Sequence, residues 1–130
     1  MHTSVSRFAF FGLGLTLLGC NGGGPTKLGA VLPLTGSAAV YGQAIRKGID
    51  LAAEQVNRDP RGPKIEILVG DSGSDPERAK KELNRVIGAG ALAAIGGVTS
   101  AEALALVEVA DDHKRILLSP SASLPQLSGI

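Results

Sequence analysis

The sequence has 130 residues, with thirteen Lys+Arg against twelve Asp+Glu and a formal charge of +1. That is the length of one domain, and the near-balance of charge argues against a nucleic-acid binder. Hydrophobic residues make up 44% and charged residues 19%, which argues against disorder, while a single cysteine allows neither an internal disulfide nor a multi-cysteine metal site.

In chain order, the first segment stands apart from the fold. Met1–Arg7 is short and polar with one arginine, and Phe8–Leu18 is an uncharged apolar run. The run is too short to span a bilayer, which takes about 20 residues. A short basic start, a short apolar core and a small residue at its end describe a secretory signal. Leu17-Leu18-Gly19-Cys20 resembles the bacterial lipobox, although Leu18 departs from the small residue often found before the glycine. That resemblance implies removal of residues 1–19 and acylation of Cys20, giving a lipoprotein anchored on the periplasmic or cell-surface side. An ordinary signal peptide and a buried helix with a stray cysteine are the alternatives. Residues 20–26, with Asn21-Gly22-Gly23-Gly24-Pro25, read as a flexible tether. Cleavage takes Phe8, Phe10 and Phe11 with it. Tyr41 then remains as the sole aromatic, over a core of Ala, Val, Ile and Leu.

From residue 27 to 130, strand and helix alternate. Lys27–Leu32 is an apolar strand closed by Pro33, and Pro33–Tyr41 reads as a loop. Ile45, Gly48, Ile49, Ala52 and Val56 recur at helical spacing, which predicts an amphipathic helix over Gly42–Asn57. Gly48 on that stripe suggests a close approach of helix to sheet. Arg58–Pro63 is a turn, and Lys64–Gly70 is the second strand. Asp75-Pro76 opens the second helix with a side-chain cap and a proline at the first helical position. Its stripe is Ala79, Leu83, Val86 and Ile87, and Gly88 and Gly90 stop it. Leu92–Gly96 is a third strand. Thr99 or Ser100 caps a third helix with a stripe of Ala103, Leu106, Val107 and Ala110. Arg115–Leu118 is a fourth strand, and Pro125 is placed to open a further helix.

This alternation implies right-handed crossovers and a doubly wound parallel α/β sheet. In such a sheet ligands bind beyond the carboxyl ends of the strands. The loops concerned are Pro33–Tyr41, Asp71–Asp75, Val98–Ser100 and Ser119–Ser123. They carry Thr35, Ser37, Thr99, Ser100, Ser119, Ser121 and Ser123, a neutral set of donors and acceptors suited to binding rather than catalysis.

Several runs imitate chemistry. Gly70-Asp71-Ser72-Gly73 matches the stretch around the nucleophile of trypsin-like proteases, which need a histidine base and a buried acid on a β-barrel. Beyond the signal the only histidine is His113, at a predicted helix end. Asp71, Asp75 and Glu82 occupy the first, fifth and twelfth places of a calcium-binding loop, but the sixth place needs glycine and holds Pro76. Gly88-Ala89-Gly90 follows a helix rather than a strand, against a dinucleotide fingerprint. No base–nucleophile pair or metal set emerges, and neither an enzyme nor a cofactor is expected.

The residues that carry a family resemblance are Gly29-Ala30-Val31-Leu32-Pro33-Leu34-Thr35-Gly36, Tyr41-Gly42, Gly48, Leu51-Ala52, Val56-Asn57, Asp71, Asp75-Pro76, Ala79, Ile95-Gly96, Ser100 and Ser119-Pro120-Ser121-Ala122-Ser123. In order and spacing they resemble the start of the branched-chain amino-acid (leucine/isoleucine/valine) binding proteins of bacterial ABC transporters, which have the type 1 periplasmic binding fold. The resemblance implies that Ser100 bonds a ligand α-carboxylate, that Ser121 and Ser123 contact carboxylate and ammonium, and that Tyr41 packs on the ligand. The bland counterparts are a helix cap for Ser100, a Ser/Pro turn for Ser121 and Ser123, and a lone core aromatic for Tyr41. Some members bridge the loops here bearing Ser74 and Thr99 with two cysteines, a brace this sequence lacks.

The resemblance implies a small zwitterionic amino acid as ligand, with transporter membrane subunits as partners. Members are about three times longer and have two lobes. Residues 27–130 are therefore expected to be a partial first lobe, a truncated receptor that binds weakly or not at all. The alternative is a small lipoprotein with a structural or protein-interaction role.

Overall fold

The computed structural model describes residues 24–128. The signal, the lipobox with Cys20 and most of the tether lie outside these residues. Strand β1 (Thr26–Leu32) is followed by α1 (Ala39–Arg58), β2 (Ile65–Asp71), α2 (Pro76–Gly88), β3 (Ala93–Gly96), α3 (Ser100–Asp112) and β4 (Ile116–Leu118). A single 3-10 turn, Pro125–Leu127, stands where a further helix was expected. The strands form one parallel sheet in the order β2-β1-β3-β4.

Alternation along β1 divides the interior. Ala30 and Leu32 face α1, where they pack with Val98, Ile45, Ile49 and Ile67. Val31 faces the other way, into a larger cluster with Ala79, Leu83, Val86 and Ile87 of α2 and Leu106, Val109 and Ala110 of α3. The reversal of winding between β1 and β3 is what puts helices on both faces, as the strand–helix alternation predicts.

The helix ends have local causes. Asp75 caps α2 by accepting the Arg78 amide at 2.6 Å, and Pro76 takes the first helical position. Beyond its end Gly90 turns with φ +101, a left-handed conformation that suits glycine. Between the two readings for α3, Thr99 is the cap. Its hydroxyl and the Glu102 side chain form a reciprocal capping box, and Ser100 becomes the first helical residue. On α3 Val109 is buried and Val107 only half-buried, so the stripe turns by part of a helical turn from the expected one.

Helix α1 departs most from expectation. It begins at Ala39, so Tyr41 stands in its first turn rather than in a loop. No side chain of its own caps it. Its entry is held from outside, where the Ser74 hydroxyl accepts the Ala38 amide at 3.0 Å. At its far end the Asn57 carboxamide both donates to the Ile65 carbonyl and accepts the Ile65 amide, each at 2.8 Å, tying α1 to β2. A Cβ on Gly48 would meet open space, so this glycine is not the site of a close approach. That role belongs to Gly42, where a Cβ would lie 2.6 Å from the Pro33 carbonyl carbon.

Candidate functional site

The four loops expected at the carboxyl ends of the strands meet along one rim. Ser119 Oγ donates to the Gly97 carbonyl at 2.8 Å and Ser121 Oγ to the Val98 carbonyl at 2.6 Å, fastening the loop after β4 onto the loop after β3. The Ser123 amide reaches Ser100 Oγ at 3.5 Å. Beside this seam lies an open pocket of about 300 Å³ lined by Ser37, Ala38, Tyr41, Val98, Thr99 and Ser121.

Of the expected site residues, Tyr41 and Ser121 line this pocket. Ser100 follows Thr99 at its edge, and Ser123 meets Ser100 through its amide rather than its hydroxyl. Tyr41, Ser100 and Ser121 therefore share one rim. Tyr41 is 68% exposed, which removes the reading of a core aromatic. Ser37 and Thr99 were not singled out as site residues. Ser37 carries only the weak signal of a hydroxyl after β1. Thr99 was legible as the first residue of Thr99-Ser100-Ala101-Glu102, a capping-box spacing that also marks the start of an anion-binding turn.

Hydrogen bonding decides which polar groups are available. The Thr99 hydroxyl is committed: it donates to Glu102 Oε2 at 2.9 Å and accepts the Glu102 amide. The capping box occupies the amides of Thr99 and Glu102, and the Ala103 amide returns to the Thr99 carbonyl. The first-turn donors left over are the amides of Ser100 and Ala101. Ser100 Oγ accepts from Ser123, so its proton is left to donate, whereas Ser121 Oγ has given its proton to Val98 and keeps lone pairs. An anion at this helix start gains about 0.3–1 kcal/mol from the aligned peptide dipoles. None of the six lining residues is an acid or a base strong enough to pair with an ammonium or a carboxylate.

Just behind the pocket, Asp71 at the end of β2 is held as a carboxylate. Partial desolvation pushes its carboxyl up. The Thr35 hydroxyl and the amides of Gly73, Thr35 and Leu34 outweigh that and leave it below the ordinary value. Arg78 Nη2 adds an ion pair at 2.8 Å.

A parallel α/β lobe with hydroxyls and one open helix start gathered at its strand ends has the architecture of lobes in which small ligands lie beyond the strand ends. A sequence model of the family described as "Periplasmic binding protein" matches residues 25–129, and the chain belongs to that family. It is 28% identical over 103 residues to the Leu/Ile/Val-binding protein BraC3 of Rhizobium johnstonii, a match covering 78% of this chain and 28% of the relative. Leu/Ile/Val-binding protein homolog 1 of Brucella abortus is 34% identical over 101 residues, covering 76% of this chain and 27% of that one. Among solved structures, the branched-chain amino acid transporter substrate-binding protein LivJ of Streptococcus pneumoniae, in complex with isoleucine, superposes with a TM-score of 0.74 at 31% identity. That match covers 78% of this chain and 30% of the other. The chain thus spans about 28% of the length of the curated relatives it matches.

Proposed function

We propose that this chain is the ligand-contacting first part of an amino-acid substrate-binding protein of an ABC transporter, with branched-chain or related amino acids as ligands. The observation that carries the reading is one pocket that joins Tyr41 and Ser121 at the open start of α3. In this reading the Ser100 and Ala101 amides and the Ser100 hydroxyl hold the α-carboxylate. Ser121 and Ser123 face the ammonium end, and Tyr41 covers the ligand. The neutral lining leaves the ammonium without a carboxylate partner, which a second wall would supply. Residues 1–19 serve as signal, Cys20 as lipid anchor and 20–26 as tether, and residues 27–130 form the partial first lobe. The protein then works outside the cytoplasm, against the membrane subunits of its transporter.

A pocket this open cannot bury the 70–90% of a ligand's surface usual for a closed site. The expected affinity of the 130-residue chain for L-isoleucine is millimolar, about 4 kcal/mol of binding free energy. Amide NMR of the labelled chain titrated with L-isoleucine tests this. Shifts confined to the rim, at Tyr41, Ser100, Ala101, Ser121 and Ser123, support the reading, and shifts elsewhere or none at all overturn it. Fatty-acid labelling of expressing cells, lost in Cys20→Ser, tests the anchor.

The alternative of an interaction lipoprotein draws on the β4 edge, where Ile116 is 74% and Leu118 61% exposed. A stable complex on size-exclusion chromatography together with an unresponsive pocket favours that reading.

A further inference from the structure

The turn after β2 contributes no residue to the pocket lining, yet it is hydrogen-bonded to both pocket walls. Toward the first wall, Asp71 Oδ1 accepts the amides of Leu34 at 2.9 Å and Thr35 at 3.1 Å, and Oδ2 accepts the Thr35 hydroxyl at 2.8 Å. Ser74 Oγ donates to the Thr35 carbonyl and accepts the Ala38 amide, both at 3.0 Å. These bonds hold the segment that carries Ser37 and leads into Tyr41. Toward the second wall, the Ser72 hydroxyl donates to Glu102 Oε1. The other oxygen of Glu102 accepts the Thr99 amide at 3.1 Å and the Thr99 hydroxyl at 2.9 Å. Ser72 and Glu102 are each 1% exposed, so this link is sealed from water.

The backbone of the turn makes the double reach possible. Gly73 and Ser74 are consecutive left-handed residues, with φ +64 and +62, which swings the Ser74 hydroxyl back toward α1 while Ser72 points into the interior. Gly36, also left-handed, lets the two loops touch without a side chain between them. Asp71 further accepts the Gly73 amide at 2.9 Å, so the turn is braced on itself before it braces anything else.

We infer that Asp71, Ser72 and Ser74 are positioning residues of the ligand pocket, a bracket that sets the separation of its two walls. Asp71 and Ser74 fix the wall of Ser37 and Tyr41. Ser72, through Glu102, fixes the wall of Thr99 and Ser100. The inference rests on the pocket being the amino-acid site proposed above. It gives the protease-like Gly70-Asp71-Ser72-Gly73 run a different use, with the serine as a hydrogen-bond donor to a buried carboxylate rather than a nucleophile. A site held by bonds of this kind keeps its geometry before the ligand arrives.

The two arms are separable, and that separates positioning from general stability. In the full 130-residue chain, amide hydrogen exchange reads each wall. Tyr41, the only tyrosine in a chain without tryptophan, reads the first by its own fluorescence. Ser74→Ala is expected to speed exchange of the Ala38 amide about tenfold, equivalent to ~1.4 kcal/mol, and to change the Tyr41 emission while the Thr99 amide keeps its rate. Ser72→Ala is expected to do the reverse. Both are expected to weaken the L-isoleucine response at Ser100. Both walls loosening together in either variant, neither loosening, or an unchanged isoleucine response after selective loosening overturns the bracket. A wild-type chain without an isoleucine response overturns the ligand reading instead, and the exchange pattern still decides whether the turn holds the two walls independently. If Ser72→Ala does not fold, Ser74→Ala alone decides, by Ala38 against Thr99.

Discussion

The two faces of the sheet are covered very unequally. On one, the thirteen-residue helices α2 and α3 bury Ala79, Leu83, Val86 and Ile87, and Glu102, Ala103, Leu106, Val109 and Ala110. On the other, the twenty-residue helix α1 buries only Gly42. Its apolar stripe does face the sheet, but a groove of about 350 Å³ stays open between them, with Leu28, Ile45, Ile49, Ile67 and Ile95 in its walls. The difference teaches that an amphipathic pattern specifies which side of a helix turns inward, not how much of it is sealed from water. Sealing depends on what else packs there, and on the α2–α3 side each helix has the other as a neighbour.

The largest expected effect tests that asymmetry directly. Leu83→Ala, at a fully buried position, is expected to cost about 2–5 kcal/mol, whereas Ile49→Ala, on the open face, is expected to cost about 1 kcal/mol. Urea midpoints measure both, and equal losses break the comparison. A smaller effect appears in acid. The Asp71 carboxyl sits below the ordinary 3.8, so the folded state binds its proton less readily than the unfolded chain does. Its contribution is fully present above that ordinary value and is lost as pH falls through the folded value. Asp71→Asn is expected to flatten this limb of the stability–pH curve, and an unchanged limb counts against the carboxylate's role in joining the α1 entry to the rim. The smallest effect has the opposite sign. Gly48→Ala adds a methyl group where nothing stands within 4 Å, and it is expected to stabilise α1 by about 0.5–1 kcal/mol, read as a raised melting temperature. A loss there shows the groove to be closed in solution.

Much of the fold was legible because its signals are local. The cap and proline at Asp75-Pro76, the stripe from Ala79 to Ile87 and the glycines after it locate α2 without any tertiary contact. The start of α1 was not legible, because its brace comes from Ser74, a residue 36 positions away from Ala38. That displaced start moved Tyr41 from the expected loop onto a helix. At the site, hydroxyls in the right loops could be read in order, and Tyr41 and Ser121 do share a pocket. The Thr99 hydroxyl is spent on Glu102 in a local capping box, whereas the state of Ser100 and Ser121 could not be read, because their partners lie 23 positions away and depend on how loops approach one another.

The sequence by itself determined the order of strands and helices, the inward stripes of α1 and α2 and the placing of hydroxyl-bearing loops at one end of a parallel sheet. Periodicity, caps and turn residues act over a few positions, and so they survive in a linear reading. Only the tertiary structure decided that the turn Asp71–Ser74 clasps both walls of the pocket, and that α2 and α3 bury their stripes while α1 leaves most of its own uncovered. Those outcomes depend on groups far apart in the chain meeting with their donors and acceptors matched, and no local pattern encodes that meeting.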